Sequence, residues 1–186
     1  MGMAFLHTAL MILAYVNIVF IIGLIRKRND VADIAWGLGF IIVAASFYWM
    51  LNVAVSTKIL YLMVAVWGMR LTIHLYRRNK GKTEDFRYKA WRDKWGKKVV
   101  LRSWLQVYLL QGFFMWVICL PIVYAPYGCG DVSIWQLPGA IIWLTGLLIE
   151  SIADEQLLRF SRAKTIKGEF MQKGLWKYSR HPNYFG

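Results

Sequence analysis

The residues best equipped for chemistry lie in the last stretch of the chain, GLWKYSRHPNYFG, Gly174 to Gly186. Ser179, Arg180, His181 and Asn183 surround Pro182, flanked by Trp176, Tyr178 and Tyr184. The residue before a proline is pushed out of helical geometry. Asn183 has the right side chain to cap a helix beginning at Tyr184. A helix N-terminus presents free backbone N–H groups and a positive dipole end, which suits an anion such as phosphate. Arg180 and His181 add cationic donors, and the aromatic rings offer flat faces for a heterocycle. These features describe a pocket for a large, anionic, heteroaromatic cofactor. The same composition also suits a basic, aromatic anchor beside a membrane, and both readings stand at this point.

Other polar groups stand within apolar stretches, where a charge costs about 2.5–3.5 kcal/mol on insertion scales. Arg70 and His74 are four residues apart, as are Glu150 and Asp154, so each pair shares one helix face. Two carboxylates so placed repel unless a cation or hydrogen-bond donors face them. Asp33 opens an apolar run, where it either caps a helix, pairs with Arg70 or takes part in chemistry. His74 either packs, snorkels or catalyses. Gly81–Thr83 (GKT) lacks a phosphate loop's upstream glycine, since Tyr76 stands there, and no strand precedes it. Gly37 and Gly39 in WGLGF lack the GxGxxG pattern and read as packing or turn glycines. Cys119 falls in an apolar run and Cys129 in a loop, which argues against a disulfide. No metal-ligand spacing is present.

The elements that must carry these groups follow from charge. Of the 186 residues, 58% are hydrophobic, above the 45–50% or so usual in soluble domains. Yet the net charge is +13, and its placement separates a nucleic-acid binder from a membrane protein. Phe5–Ile25, Ile34–Thr57, Ser103–Gly130 and Val132–Ile149 carry no Lys, Arg, Asp or Glu. A fifth run, Ile59–Tyr76, is interrupted by Arg70 and His74. A helix needs roughly 20 apolar residues to cross a bilayer, so an all-α bundle of about five spans is expected. The basic residues alternate between the spans: Arg26–Arg28, then 11 Lys and Arg within Arg77–Arg102, then 7 from Arg159 to Arg180. Positive-inside logic places those segments in the cytoplasm and the N-terminus outside. It excludes nucleic acid as the partner and makes the lipid bilayer one. The first run is too long for a signal peptide, and its basic residues follow it. One integral domain, 1–186, is expected. Within it, 77–103 forms a cytoplasmic interfacial segment, where Phe86, Ala90, Trp91 and Trp95 recur at helical spacing as the apolar face of a short helix.

GLWKYSRHPNYFG resembles the signature of the steroid 5-alpha-reductase C-terminal group of membrane proteins, most closely the branch that carries Arg-His-Pro-Asn-Tyr-Phe-Gly. DIAWGLGF, WGMRLTIHLYRR, DFRY and IESIADEQLLRF resemble the same branch. The resemblance implies a helical membrane fold whose C-terminal part, here 150–186, holds NADPH. It implies hydride transfer to a carbon–carbon double bond conjugated to a carbonyl, in a hydrophobic, lipid-like substrate. It assigns Asp154, Asn183 and Tyr184 to the cofactor site, with Tyr178, Arg180 and His181 beside them. His74 and Arg78 resemble a family His-x-x-x-Arg element near the nicotinamide and phosphates. The reductases polarise the carbonyl with a second-span acid and a tyrosine, and Asp33 is the only second-span acid here. The resemblance also implies at least one further apolar helix after Gly186, so the chain reads as truncated. Isoprenylcysteine carboxyl methyltransferases are similar over Arg-His-Pro, which makes S-adenosylmethionine the alternative cofactor. Charge favours NADPH, because phosphates match arginine forks and a sulfonium gains nothing from a basic segment. A third reading is a membrane protein without catalysis.

Overall fold

A backbone inside lipid must satisfy its own N–H and C=O groups, so uncharged runs of bilayer length become helices. The structure, a computed structural model, describes residues 1–128, 130–163 and 169–185. It is all-helical, with no strand among the described residues. Helix α1 spans Gly2–Arg26, α2 Val31–Met50 and α3 Val55–Asn79. A short α4, Phe86–Trp95, leads through α5, Val99–Ser103, into a π-helical turn, Trp104–Leu109. The same run continues as α6, Leu110–Ile118, and α7, Leu120–Gly128. The last long helix, α8, spans Gln136–Ala163. Five segments are long and apolar enough to cross a membrane: α1, α2, α3, the run Phe86–Gly128, and α8.

Two boundaries differ from those drawn by charge. The uncharged run Ile34–Thr57 is divided: α2 stops at Met50, Leu51 is extended, and α3 begins at Val55. The turn residues Leu51–Ala54 carry no charge, so charge counting passes through them. Lys58 consequently sits in the first turn of α3. Helix α8 runs on past Ile149 and carries Glu150 and Asp154 in its C-terminal half.

The chain divides into two compact units, Met1–Asp131 and Val132–Gly186. In the first, α2 is central. Phe40, Val43, Ala44 and Phe47 bury against Ile12 and Val16 of α1 and Met115, Cys119 and Val123 of the α6–α7 run. Helices α2 and α3 meet backbone to backbone. A Cβ on Gly37 would stand 2.2 Å from the Gly68 carbonyl oxygen, and one on Gly39 would stand 2.4 Å from the Met115 side chain. Both glycines of WGLGF therefore serve packing.

Helix α7 contains Pro126, whose missing N–H leaves the carbonyl of Ile122 without its helical donor. Tyr61 of α3 donates its hydroxyl to that carbonyl at 3.2 Å. Thr57 donates to the Ala125 carbonyl at 3.3 Å, and the Ser56 hydroxyl donates to the Gly130 carbonyl. Tyr61 and Thr57 of α3 thus satisfy buried acceptors of α7 that a helix interrupted by proline leaves open.

The other end of this unit is polar. Arg28 donates to both oxygens of Asp30, at 3.0 and 2.7 Å, and to the Lys82 carbonyl at 2.8 Å. The Asn29 N–H donates to Glu84 at 2.6 Å, and the Asp85 N–H donates to Asp30 at 3.1 Å. The basic turn after α1 and the basic segment after α3 therefore lie together at one end. Ser56 and Gly130 meet at the other.

In the second unit, residues 169–185 fold back on the C-terminal half of α8 and bury Ala153, Asp154 and Leu158. Large apolar residues elsewhere on α8 stay exposed, such as Ile141, Ile142 and Leu148. That is the pattern of a face left for lipid.

Candidate functional site

Among the described residues, each unit holds a polar constellation. In the first unit it begins with two helix starts. Asp30 precedes α2, and its buried carboxylate accepts the Asp85 N–H. Asp85 in turn caps α4, accepting the Arg87 N–H at 3.0 Å. This clamp sets the register of α4 and turns Tyr88, one turn on, toward α2. The Tyr88 hydroxyl donates to Asp33 Oδ1 at 2.6 Å. Gln111 Nε2 donates to the same oxygen at 3.3 Å, from just beyond the π-helical turn. Arg87 Nη2 lies 3.8 Å from Asp33 Oδ2, and the charge of Arg78 also acts on this carboxylate. The result is a half-buried carboxyl–phenol pair with an amide and two guanidiniums around it.

Asp85 lies in the loop between α3 and α4. The hydrogen bond from the Arg87 side chain holds its carboxyl below the usual carboxylate range. Burial opposes this, while the Arg87 N–H and the charges of Arg87 and Arg78 reinforce it.

The second unit's constellation surrounds Asp154, which is buried with 7% of its surface exposed. Asn183 Nδ2 donates to Asp154 Oδ1 at 3.1 Å. Trp176 Nε1 donates to the Ala153 carbonyl at 3.0 Å, and the Leu175 N–H donates to Gln156 Oε1 at 3.0 Å. Gly174 makes the turn that brings Leu175 there: its φ is +63°, and a Cβ would stand 2.5 Å from the Gln156 amide. Beside this fold-back lies an open cavity of about 620 Å³, lined among others by Leu157, Phe160, Phe170, Trp176, Glu169 and Arg180. Sites for small molecules run to roughly 300–1,000 Å³ and combine apolar walls with a few polar groups. The Asn183 Oδ1 atom is buried without a hydrogen-bond partner.

A family model described as Protein of unknown function (DUF1295) matches residues 19–186. The chain belongs to that family. No curated protein and no solved structure matches it.

In this DUF1295 member the residues singled out in the sequence fall into groups. Asp33 and Arg78 share the first constellation, and His74 lies half-buried on α3, one turn before Arg78. Asp154 and Asn183 bond to each other, and Arg180 lines the cavity. Tyr178 and Tyr184 are more than four-fifths exposed. His181 is exposed as well, with its ring 5.6 Å from that of Tyr184.

Asn183 lies inside a three-residue 3-10 turn, Pro182–Tyr184, and the helix expected to begin at Tyr184 falls beyond the described residues. Its side-chain amide donates to Asp154. Helix α4 carries exposed apolar residues as well as buried ones. Tyr88 and Trp95 are buried, whereas Phe86 and Ala90 point outward.

Tyr88, Gln111, Asp30 and Asp85 were not anticipated as site residues. Gln111 carried a signal, as the amide midway along an uncharged run. Asp85 and Tyr88 are spaced as a cap and a residue one turn on, a pattern that names no partner until α2 is placed beside it.

Proposed function

We propose that this protein is an integral-membrane, NADPH-dependent reductase of a conjugated carbon–carbon double bond in a lipid-like substrate. The observation that carries the reading is the Tyr88–Asp33 pair, a phenol and a carboxyl 2.6 Å apart near the end of an apolar helix bundle. The relation of the DUF1295 family to steroid 5-alpha-reductase-like proteins supports it. The second unit fits a dinucleotide by its donor set. Trp176, Phe160 and Phe170 offer aromatic walls, Arg180 a fork for a phosphate, and Asn183 Oδ1 an unused buried acceptor.

When bound, NADPH would supply a hydride to the far carbon of the double bond, and water would supply the proton that the neighbouring carbon takes up to complete the reduction. The rest falls to this chain. Tyr88 Oη and Asp33 Oδ1 share a proton. With Asp33 protonated, its carboxyl donates to Tyr88 Oη, and the phenol hydrogen is free to point at a substrate carbonyl. Polarising that carbonyl draws charge away from the far carbon of the double bond, the one that accepts hydride. Gln111 and Arg87 hold Asp33 in place. Asp154 braces the Pro182–Tyr184 turn through Asn183.

The test is titration of the purified chain in detergent with NADPH, NADH and S-adenosylmethionine. NADPH binds most tightly, and Arg180→Ala or Asn183→Ala each weakens it by about 1–3 kcal/mol, the range for a lost buried or charge-assisted hydrogen bond. Tyr88→Phe leaves that binding unchanged and abolishes turnover of an enone amphiphile. Saturable binding of S-adenosylmethionine without NADPH would transfer the protein to the methyltransferase reading. Binding of neither would remove catalysis altogether.

A further inference from the structure

The polar end of the first unit pairs three of its acids and only part of its cations. Asp30 is taken by Arg28, Glu84 by Arg92, and Asp85 by Arg87. Lys80, Lys82, Lys89, Lys94, Lys97 and Lys98 are exposed and, among the described residues, have no acidic partner. Arg26 and Lys27, in the neighbouring turn, are in the same condition. Asp93 is the one exposed acid in this segment. Large apolar side chains stand among these lysines: Phe86 at 79% exposed, Leu101 at 58% and Trp91 at 45%.

A lysine-only surface suits any polyanion. A surface in which exposed Phe, Trp and Leu alternate with lysine suits a sheet of phosphates with hydrocarbon beneath it. We propose that the outward face of α4 and the residues on either side of it form a binding surface for anionic phospholipid headgroups of the adjoining leaflet. Phe86, Trp91 and Leu101 enter the headgroup layer, and Lys89, Lys94, Lys97 and Lys98 take the phosphates. Tyr88 leaves the buried side of the same helix for Asp33, so an anionic leaflet also holds the phenol–carboxyl pair together. The surface itself does not depend on the reductase reading.

Native mass spectrometry of the full chain in neutral detergent, titrated with phosphatidylglycerol and separately with phosphatidylcholine, tests this. The unmodified chain retains phosphatidylglycerol in preference to phosphatidylcholine. The quadruple variant Lys89→Gln, Lys94→Gln, Lys97→Gln, Lys98→Gln loses about tenfold or more in apparent phosphatidylglycerol affinity. The matching quadruple Lys→Arg variant keeps it, which separates lost charge from lost fold. Equal retention of the two lipids, or a Gln variant as avid as the unmodified chain, would overturn the proposal. So would a single-stranded oligonucleotide that binds the same lysines more tightly than phosphatidylglycerol does.

Discussion

Replacing Gly37 by alanine tests how closely α2 and α3 must approach to hold the first constellation. The new Cβ would stand 2.2 Å from the Gly68 carbonyl oxygen and 2.8 Å from Thr72 Oγ1. Ordinary contact begins near 3.4 Å, so the helices must part by about 1.2 Å at this point. The nearer obstacle is backbone and cannot rotate away. Overpacking of this kind costs about 1–3 kcal/mol or more, and for a chain of this size each kcal/mol lowers the midpoint by about 2–4 °C. A fall of about 2–12 °C is expected. Two further glycines grade the effect. Gly68→Ala meets the Gly37 carbonyl at 2.6 Å, and Gly112→Ala meets only a Val16 methyl at 3.2 Å. The order of damage should be Gly37, then Gly68, then Gly112. Gly37→Ala and Gly68→Ala combined should cost less than their sum, because the first methyl already parts the helices. Cys119, 0% exposed and with a free thiol, reports the unfolding of this unit to a thiol-reactive dye in a Cys129→Ser background. A Gly112→Ala variant damaged as much as Gly37→Ala would refute the reasoning.

Two more outcomes follow from the polar end. The Asp85 carboxyl is lowered in the folded chain relative to its unfolded value, about 3.9. Its stabilisation is therefore complete above about pH 4 and is lost as pH falls through the lower folded value. Thermal midpoints measured from about pH 6 to pH 3 should drop less steeply in Asp85→Asn than in the unmodified chain, and parallel curves would show that the cap contributes nothing. The joined basic turns point to a cytoplasmic end, and Asp131 to the outside. In intact cells, a membrane-impermeant thiol reagent should label Asp131→Cys and spare Lys82→Cys in a cysteine-free background; the reverse pattern would invert the topology.

Most of the fold was legible because lipid makes composition decisive. Five runs with few or no charges could become little other than helices, and they did. What charge could not show was where helices stop inside an uncharged stretch. Met50 and Val55 bound a turn that carries no charged residue. Helix α8 outlasts its uncharged part by 14 residues, to Ala163, because the fold-back of residues 169–185 covers Ala153 and Asp154. A partner from the same chain, invisible to hydropathy, extends the helix.

The site was legible where a local rule governs it and hidden where two distant segments meet. Asp154 and Asn183 are 29 residues apart, and the family resemblance flagged both through two separate motifs, yet neither motif names the bond between them. A buried carboxylate needing a donor is a stronger demand than a local preference. The same competition explains Tyr88. Helical spacing marked Phe86, Ala90, Trp91 and Trp95 as the apolar face of α4 and left Tyr88 out. What turned the helix was Asp85, held by Asp30 across 55 residues, together with Asp33 waiting 55 residues upstream of Tyr88. Both contacts have the same offset because α2 and α4 begin side by side, so one clamp sets two registers at once. Moving either register by one residue would carry Tyr88 about 100° around its helix, away from Asp33. The chemistry proposed for the pair therefore rests on Asp30 and Asp85, neither of which would touch a substrate.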